Sequence, residues 1–365
     1  MALDRILLSR FRNHRETRIE RTAKFNLLVG ENGAGKTNVL EAISLFAPGR
    51  GLRRAGLADL PAQDGNGSFA VSAELMDGTE PVRLGTGIAA SRPGKRIVQV
   101  NQAAAPAVRL GEWLSIGWLT PAMDRLFVES AGARRRFLDR LVLAGNPGHA
   151  KQATRLENAI RERNRLLSED RAPEPQWLDA IEAQIAEAGA AVTAARDDLI
   201  TQLSRTLFTL PESPFARPSL RYEPGGPPEE AQLAAALKNN RARDLAAQRT
   251  LIGPHRDEIG VTLAEKNQPA AECSTGEQKA MLISIVLAHS QLLESGAAEP
   301  GRPRLLLLDE VAAHLDPLRR QALFDRLRHG SAQVWLTGTE LAPFSAIEAE
   351  AAVWQVSGGG VERLS

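Results

Sequence analysis

Residues 25–41 read FNLLVGENGAGKTNVLE, and this stretch decides the fold. Phe25, Leu27, Leu28 and Val29 form an apolar run with the character of a buried strand, and Val39, Leu40 and Ile43 then take up helical spacing. Between them Gly30, Glu31, Asn32, Gly33, Ala34, Gly35, Lys36 and Thr37 fit G-x-x-x-x-G-K-[ST], with the strand before and helix after that a phosphate-binding loop requires. The glycines let the backbone curl so that several N–H groups converge on phosphate oxygens, and the helix N-terminus adds partial positive charge. Residues 30–38, through Asn38, are therefore the expected ATP contacts. Lys36 is expected on the β- and γ-phosphates, and Thr37 on Mg²⁺.

Working outward, a second stretch answers the first. RLLLLDE at 304–310 carries Asp309 and Glu310 to the end of an apolar strand, where two carboxylates are costly without a partner. A Mg²⁺–phosphate group supplies one: Asp309 as metal ligand, Glu310 orienting or deprotonating the attacking water. Ser274, Thr275, Gly276 and Glu277 open a long helix. They read locally as a capping box, and a Ser and a Gly at an exposed helix N-terminus also make an anion site, with Ser274, Gly276 and Glu277 as candidate nucleotide contacts. They stand 35 residues before Asp309, the separation of the signature motif from the second acidic motif in ABC-type ATPases. In those enzymes the signature of one subunit binds the γ-phosphate held by the other. VAAHLD at 311–316 resembles the loop that crosses such a dimer interface; His314 is expected to be packed or solvent-facing rather than a metal ligand. After the strand expected at 333–336 stand Thr337, Gly338 and Thr339, with no histidine to sense a γ-phosphate.

Composition bounds the rest. The 365 residues are 43% hydrophobic and 24% charged with net charge +1, ordinary for a globular chain and neutral on nucleic acid. One cysteine, Cys273, excludes a disulfide framework and suits a reducing compartment. No apolar run approaches the ~18 residues of a membrane span and no secretory leader opens the chain, so a cytoplasmic location with no membrane partner is expected.

The texture divides the chain in three. Residues 1–130 read as strands around the loop: a basic hairpin (Arg5, Arg10, Arg12, Arg15, Arg18, Arg21), a meander at 69–75, 82–88 and 97–100, and a buried strand at 116–119. Residues 131–249 read as an inserted helical lobe. Its antiparallel pair, with Leu156, Ile160, Trp177, Ile181, Ile185 and Val192 inward, is expected to have twenty-odd residues per helix, about 30–35 Å. A further helix is expected over 229–248. Arg161, Arg163 and Arg165 are either a basic patch or a solvated helix face. Residues 250–365 return to strand–helix alternation, so the expected fold is α/β, a P-loop ATPase head interrupted by a compact helical lobe.

These motifs resemble the SMC/ABC-type head ATPases and, within them, the RecF family of bacterial replication and recombination-repair proteins. The carriers run nearly the whole chain in order. They are RFRN (10–13), the 30–37 loop, Thr120 with Pro121, RRFLD (135–139), Arg163 and Asn164 with Leu166 and Leu167, GPHRD (253–257), STGEQK (274–279), and LDE (308–310) with Leu315 and Asp316. The resemblance implies a weak, DNA-stimulated ATPase that forms an ATP-dependent homodimer and binds double-stranded DNA and single/double-strand junctions. It also implies RecR and RecO as partners in helping RecA load at gaps. Two other readings use the same motifs: a transport ATPase subunit, disfavoured by the missing histidine and the large insert, and an ATP-switched interaction module without significant hydrolysis.

Overall fold

The computed structural model describes residues 2–63, 65–77, 80–169, 173–295 and 302–364. In chain order the elements are β1 (Ala2–Phe11), β2 (His14–Glu20), β3 (Phe25–Val29), α1 (Lys36–Ser44), β4 (Phe69–Asp77), β5 (Glu80–Ile88), β6 (Ile97–Val100), β7 (Ala103–Ala104), α2 (Leu110–Trp113) and β8 (Ser115–Leu119). Then come α3 (Ala131–Gly145), α4 (His149–Leu167), α5 (Pro175–Thr209), β9 (Pro218–Glu223), α6 (Glu230–Asn239), α7 (Arg241–Ala247), β10 (Glu258–Leu263), β11 (Gln268–Pro269) and α8 (Thr275–Ser295). The chain closes with β12 (Arg304–Leu308), α9 (Pro317–His329), β13 (Gln333–Gly338), β14 (Ala351–Ser357) and β15 (Gly360–Arg363). Two compact units result, one of 1–123 with 289–365, the other of 124–288. The division differs from the expected 131–249 lobe because β10 pairs along its length with β9 and carries the following residues into the second unit.

The first unit holds two six-stranded sheets. One, ordered β2-β1-β4-β5-β6-β7, is the antiparallel meander read from the sequence, extended by the N-terminal hairpin. A register shift between Leu3 and Arg5 lets Leu3 and Ile6, three residues apart, both face the core. The other sheet is ordered β15-β14-β3-β13-β12-β8, with every pairing parallel except β14–β15. β3 lies between β13 and β14, so all five of its residues are buried, the mark of a parallel strand covered on both faces. Its one polar member, Asn26, is satisfied by backbone: the side chain bonds Ala23 N and O and the Val334 carbonyl. Stacked Trp335 and Trp354 (centroids 5.8 Å apart) join Phe46, Leu40, Ile43, Leu307 and Val356 in a core shared by both sheets and α1.

In the second unit α4 and α5 run antiparallel, as Arg155–Glu187 and Arg163–Glu182 contacts show. Leu156, Ile160, Leu178, Ile181, Ile185 and Val192 line the seam as expected. Trp177 does not: it is 61% exposed, in the first turn of α5. α5 covers the run expected at 176–209 but, at 35 residues or about 52 Å, exceeds the twenty-odd residues expected per helix. The helix expected over 229–248 is two, parted at Asn240, where the backbone (φ −91°, ψ 0°) leaves the helical region and the side chain donates to Asp244.

The arginine cluster of α4 is neither of the expected alternatives as a whole. Arg163 is fully buried, donating to Glu182, Asp244 and Thr250. Arg161 and Arg165 are exposed, each paired with glutamates on their own turn. The RRFLD and GPHRD runs converge on Arg196 of α5, which grips Asp139 with two nitrogens, reaches Asp257 at 2.8 Å and donates to the Pro254 carbonyl. Arg135 donates to the Asp257 carbonyl. These two motifs build the interior of the second unit.

Candidate nucleotide-binding site

The loop of residues 30–37 links β3 to α1 and folds as its glycines dictate. A Cβ on Gly30 lies 2.1 Å from the Val356 carbonyl oxygen, so only glycine lets β3 leave the sheet there. Gly33 and Gly35 have φ of 82° and 118°, conformations that L side chains rarely adopt. Gly35 is the N-cap of α1; its carbonyl accepts the Asn38 and Val39 N–H groups, and the Lys36 and Thr37 N–H groups precede the intrahelical ladder. The Lys36 ammonium curls over the loop and donates to the carbonyls of Gly30 (2.6 Å) and Glu31 (2.8 Å). Burial lowers its pKa, while the charges of Glu310 and Asp309 oppose that shift.

β12 brings the acidic pair to the same place. Thr37 Oγ1 lies 2.9 and 3.1 Å from the two Asp309 carboxylate oxygens. Thr337, from the end of β13, donates to Asp309 Oδ1 at 2.8 Å and accepts the Glu310 N–H at 2.9 Å. Burial pushes the Asp309 pKa up and the two threonine hydroxyls pull it back. Glu310 has φ of 54°, the left-handed region that a glutamate rarely enters, so the chain turns sharply as it leaves the sheet. A hydroxyl and a carboxylate in contact, next to a lysine and a helix N-terminus, suit Mg²⁺ carried on phosphates. The residues present therefore fit Mg²⁺-ATP. Among the described residues no group of three or more His, Cys, Asp or Glu could hold a metal alone.

In the second unit Ser274 caps α8 in a complete capping box. Its N–H and hydroxyl both donate to Glu277 (2.9 and 2.7 Å), and its Oγ accepts the Glu277 N–H. Lys266 forms an ion pair with Glu277, and with Ser274 it draws the Glu277 pKa down to about 2. Ser274 and Gly276 are exposed. Asp316, of the stretch read as an interface loop, caps α9 through the Arg319 N–H. The side chain of His314 lies outside the described residues.

The structure thus unites residues 30–38 with Asp309 and Glu310 in one unit, while Ser274, Gly276 and Glu277 belong to the other. Sequence reading missed Thr337 as a partner of Asp309, although the absent histidine pointed to that position. It also missed the buried Glu41, one turn into α1, gripped by Arg12 with two nitrogens and by Arg53. Six arginines on the N-terminal hairpin were the signal, but spacing alone does not say which one turns inward.

A family model for the RecF/RecN/SMC N terminal domain matches residues 2–359. The DNA replication and repair protein RecF of Mesorhizobium japonicum is 44% identical over 371 residues, covering 98% of this chain and 97% of that protein. RecF of Caulobacter vibrioides is 43% identical, covering 100% and 98%. A solved structure of "the recombination mediator protein RecF-ATPrS in RecFOR pathway" superposes with a TM-score of 0.85 at 22% identity, covering 100% of this chain and 98% of that one.

Proposed function

The chain belongs to the RecF family of replication and repair proteins, and on that premise we propose that it is a slow, DNA-stimulated ATPase that dimerises on Mg²⁺-ATP at DNA gaps. The observation that carries the reading is the contact of Thr37 with Asp309, which joins the phosphate loop to the acidic strand end. Thr37 and Asp309 would hold Mg²⁺, which would supply positive charge to the phosphates. Lys36 and the first-turn amides of α1 hold the β- and γ-phosphates, and Glu310 positions the attacking water. Ser274 and Gly276 receive the γ-phosphate of a second copy, which requires Ser274 to exchange Glu277 for phosphate oxygens. RecO and RecR are the protein partners in loading RecA, and the work is done in the cytoplasm. Among the described residues no helix is long and apolar enough to cross a membrane.

The DNA contacts are better sought away from the residues first considered. Arg5, Arg12 and Arg18 are paired with glutamates, and α4 offers Arg161 and Arg165 already paired. Residues 42–58 hold Arg50, Arg53 and Arg54, and residues 81–111 hold five Lys or Arg, without one carboxylate in either segment. In a chain of net charge +1 this leaves the remainder negative. Arg96 ties the segments together by donating to Thr86 and to the Gly49 carbonyl, so exposed Arg50, Arg92 and Lys95 share one rim. Phosphate backbone is the ligand this rim suits.

Turnover measured against protein concentration, with and without gapped duplex, tests the proposal. The rate per subunit should rise with concentration and again with DNA; a rate indifferent to both rejects the dimeric, DNA-linked site. Changing Arg50, Arg92 and Lys95 to serine should flatten the salt dependence of DNA binding by roughly 0.9 in log–log slope per lost contact. An unchanged slope rejects the rim.

A further inference from the structure

The phosphate loop is held from behind by the tips of two hairpins. Asn13 and His14 stand where β1 turns into β2, and Gly358 and Gly359 where β14 turns into β15. The second turn has two residues, both with positive φ (53° and 82°), as a tight hairpin between antiparallel strands requires. Gly359 comes so close to the first tip that a Cβ there lies 2.0 Å from the Asn13 carbonyl oxygen.

Three polar groups at these tips meet two carbonyls of the loop. Asn13 Nδ2 donates to the Ala34 oxygen at 2.9 Å, and the Gly359 N–H donates to the same oxygen at 3.1 Å. The Asn13 amide is fixed in turn by Asn38, which donates to its Oδ1 at 2.7 Å. His14 is fully buried, with Nε2 3.1 Å from the Gly35 oxygen and Nδ1 2.9 Å from Thr17 Oγ1. A carbonyl only accepts, so Nε2 carries a hydrogen toward Gly35, while the Thr17 hydroxyl beside Nδ1 donates its one hydrogen to the Gly359 carbonyl at 3.0 Å. Burial, which lowers the His14 pKa, agrees with a neutral ring. The fit is tight: a Cβ on Gly35 would lie 2.8 Å from both the Asn13 amide and His14 Nε2.

Peptide geometry gives this bracing a consequence. In a planar trans peptide the carbonyl of one residue and the N–H of the next point in opposite directions. Fixing the Ala34 oxygen toward Asn13 therefore turns the Gly35 N–H the other way. The Gly35 oxygen, which also accepts the Asn38 and Val39 N–H groups, is held by His14 from the side, and this turns the Lys36 N–H the other way. Both N–H groups belong to the set that the phosphate loop offers to its ligand. We propose that Asn13 and His14 are positioning residues that set the Gly35 and Lys36 amides for the nucleotide phosphates before the ligand arrives. The inference rests on the ATP-binding reading above. It assigns the hairpin tip to the triphosphate rather than to the base or to DNA.

The experiment uses the full chain with ATP and with inorganic triphosphate as ligands. His14→Leu and Asn13→Ala should each weaken both ligands by about tenfold, raising KM with little change in kcat. His14→Gln, whose amide nitrogen can still donate to the Gly35 carbonyl, should recover to within about threefold of the wild type. A purely structural role lowers the melting temperature of these variants and leaves the affinity of the folded molecules intact; that result overturns the inference. So does weakened ATP binding with undiminished triphosphate binding, because the tip then serves the base. If His14→Leu does not fold, Asn13→Ala, at an exposed position, decides alone. A wild type that binds neither ligand removes the ATP-binding reading and this one with it, whereas normal wild-type binding with unaffected variants removes this one only.

Discussion

Thr337→Val replaces one hydroxyl by a methyl at a site that is 1% exposed, and the structure says what that hydroxyl does. It donates to Asp309 Oδ1 at 2.8 Å and accepts the Glu310 N–H at 2.9 Å. Valine keeps the shape and serves neither group. The Glu310 N–H loses its acceptor, which costs about 1–3 kcal/mol for a group with no alternative partner. Asp309 keeps Thr37 and loses one charge-assisted bond, a further ~1–2 kcal/mol. A loss of about 2–5 kcal/mol in unfolding free energy is expected by urea denaturation. The second readout concerns the site. Burial already holds the Asp309 pKa above its ordinary value and the threonines offset this, so removing one raises it further. Mg²⁺-ATP needs the carboxylate ionised. Affinity should therefore fall in the variant, and fall more at pH 6 than at pH 8. Thr337→Ser keeps the hydroxyl and should recover most of both losses. A valine variant within about 0.5 kcal/mol of wild type, with unaltered Mg²⁺-ATP affinity at both pH values, would refute the role given to Thr337.

Glu310→Gln should bind ATP, stall before hydrolysis and accumulate as a dimer in sedimentation at micromolar protein; a variant that stays monomeric with ATP rejects the two-copy site. Arg163→Met removes the cation shared by buried Glu182 and Asp244 and should cost about 3–5 kcal/mol by denaturant unfolding, with under 1 kcal/mol as the contrary result. His255 is half-buried, its Nε2 donates to the Thr250 carbonyl and its enclosed Nδ1 has no partner among the described residues, so desolvation depresses its pKa from 6.5 to about 4. The unfolded chain takes up that proton first as pH falls. Stability is then full above pH 6.5 and declines by about 3 kcal/mol as pH falls to about 4. His255→Gln should flatten the unfolding profile in that window by close to one proton; an unchanged slope contradicts the assignment.

What was legible in the sequence is what short-range rules control. The 30–37 loop, the acidic strand end and the capping box each lie within about ten residues, and each folds as its residue types require. The β strands were legible where burial is one-sided or complete, as in β3 and β10. Long-range pairing was not. No local pattern says that Asp139, Arg196 and Asp257 meet, or that Arg163 of a basic run turns inward while Arg161 and Arg165 turn out. The same limit hid the tip of the first hairpin. Asn13 and His14 look like ordinary turn residues until Gly359, more than three hundred positions later, closes on them. Helix ends were harder to read: the break at residue 240 has no glycine or proline to announce it.

The position of β3 bears on how the chain is made. This strand carries the phosphate loop and leaves the ribosome early, but both strands that flank it, β13 and β14, come some three hundred residues later. At roughly 5–20 residues per second, synthesis separates them by about 15–60 s. The helical unit is contiguous in sequence and can close during that interval. Through it FNLLV, an apolar segment shaped for pairing on both edges, waits without neighbours. Nascent chains of this protein should therefore call on a holding chaperone at their N-terminal segment, and acquire nucleotide binding only when the last strands emerge.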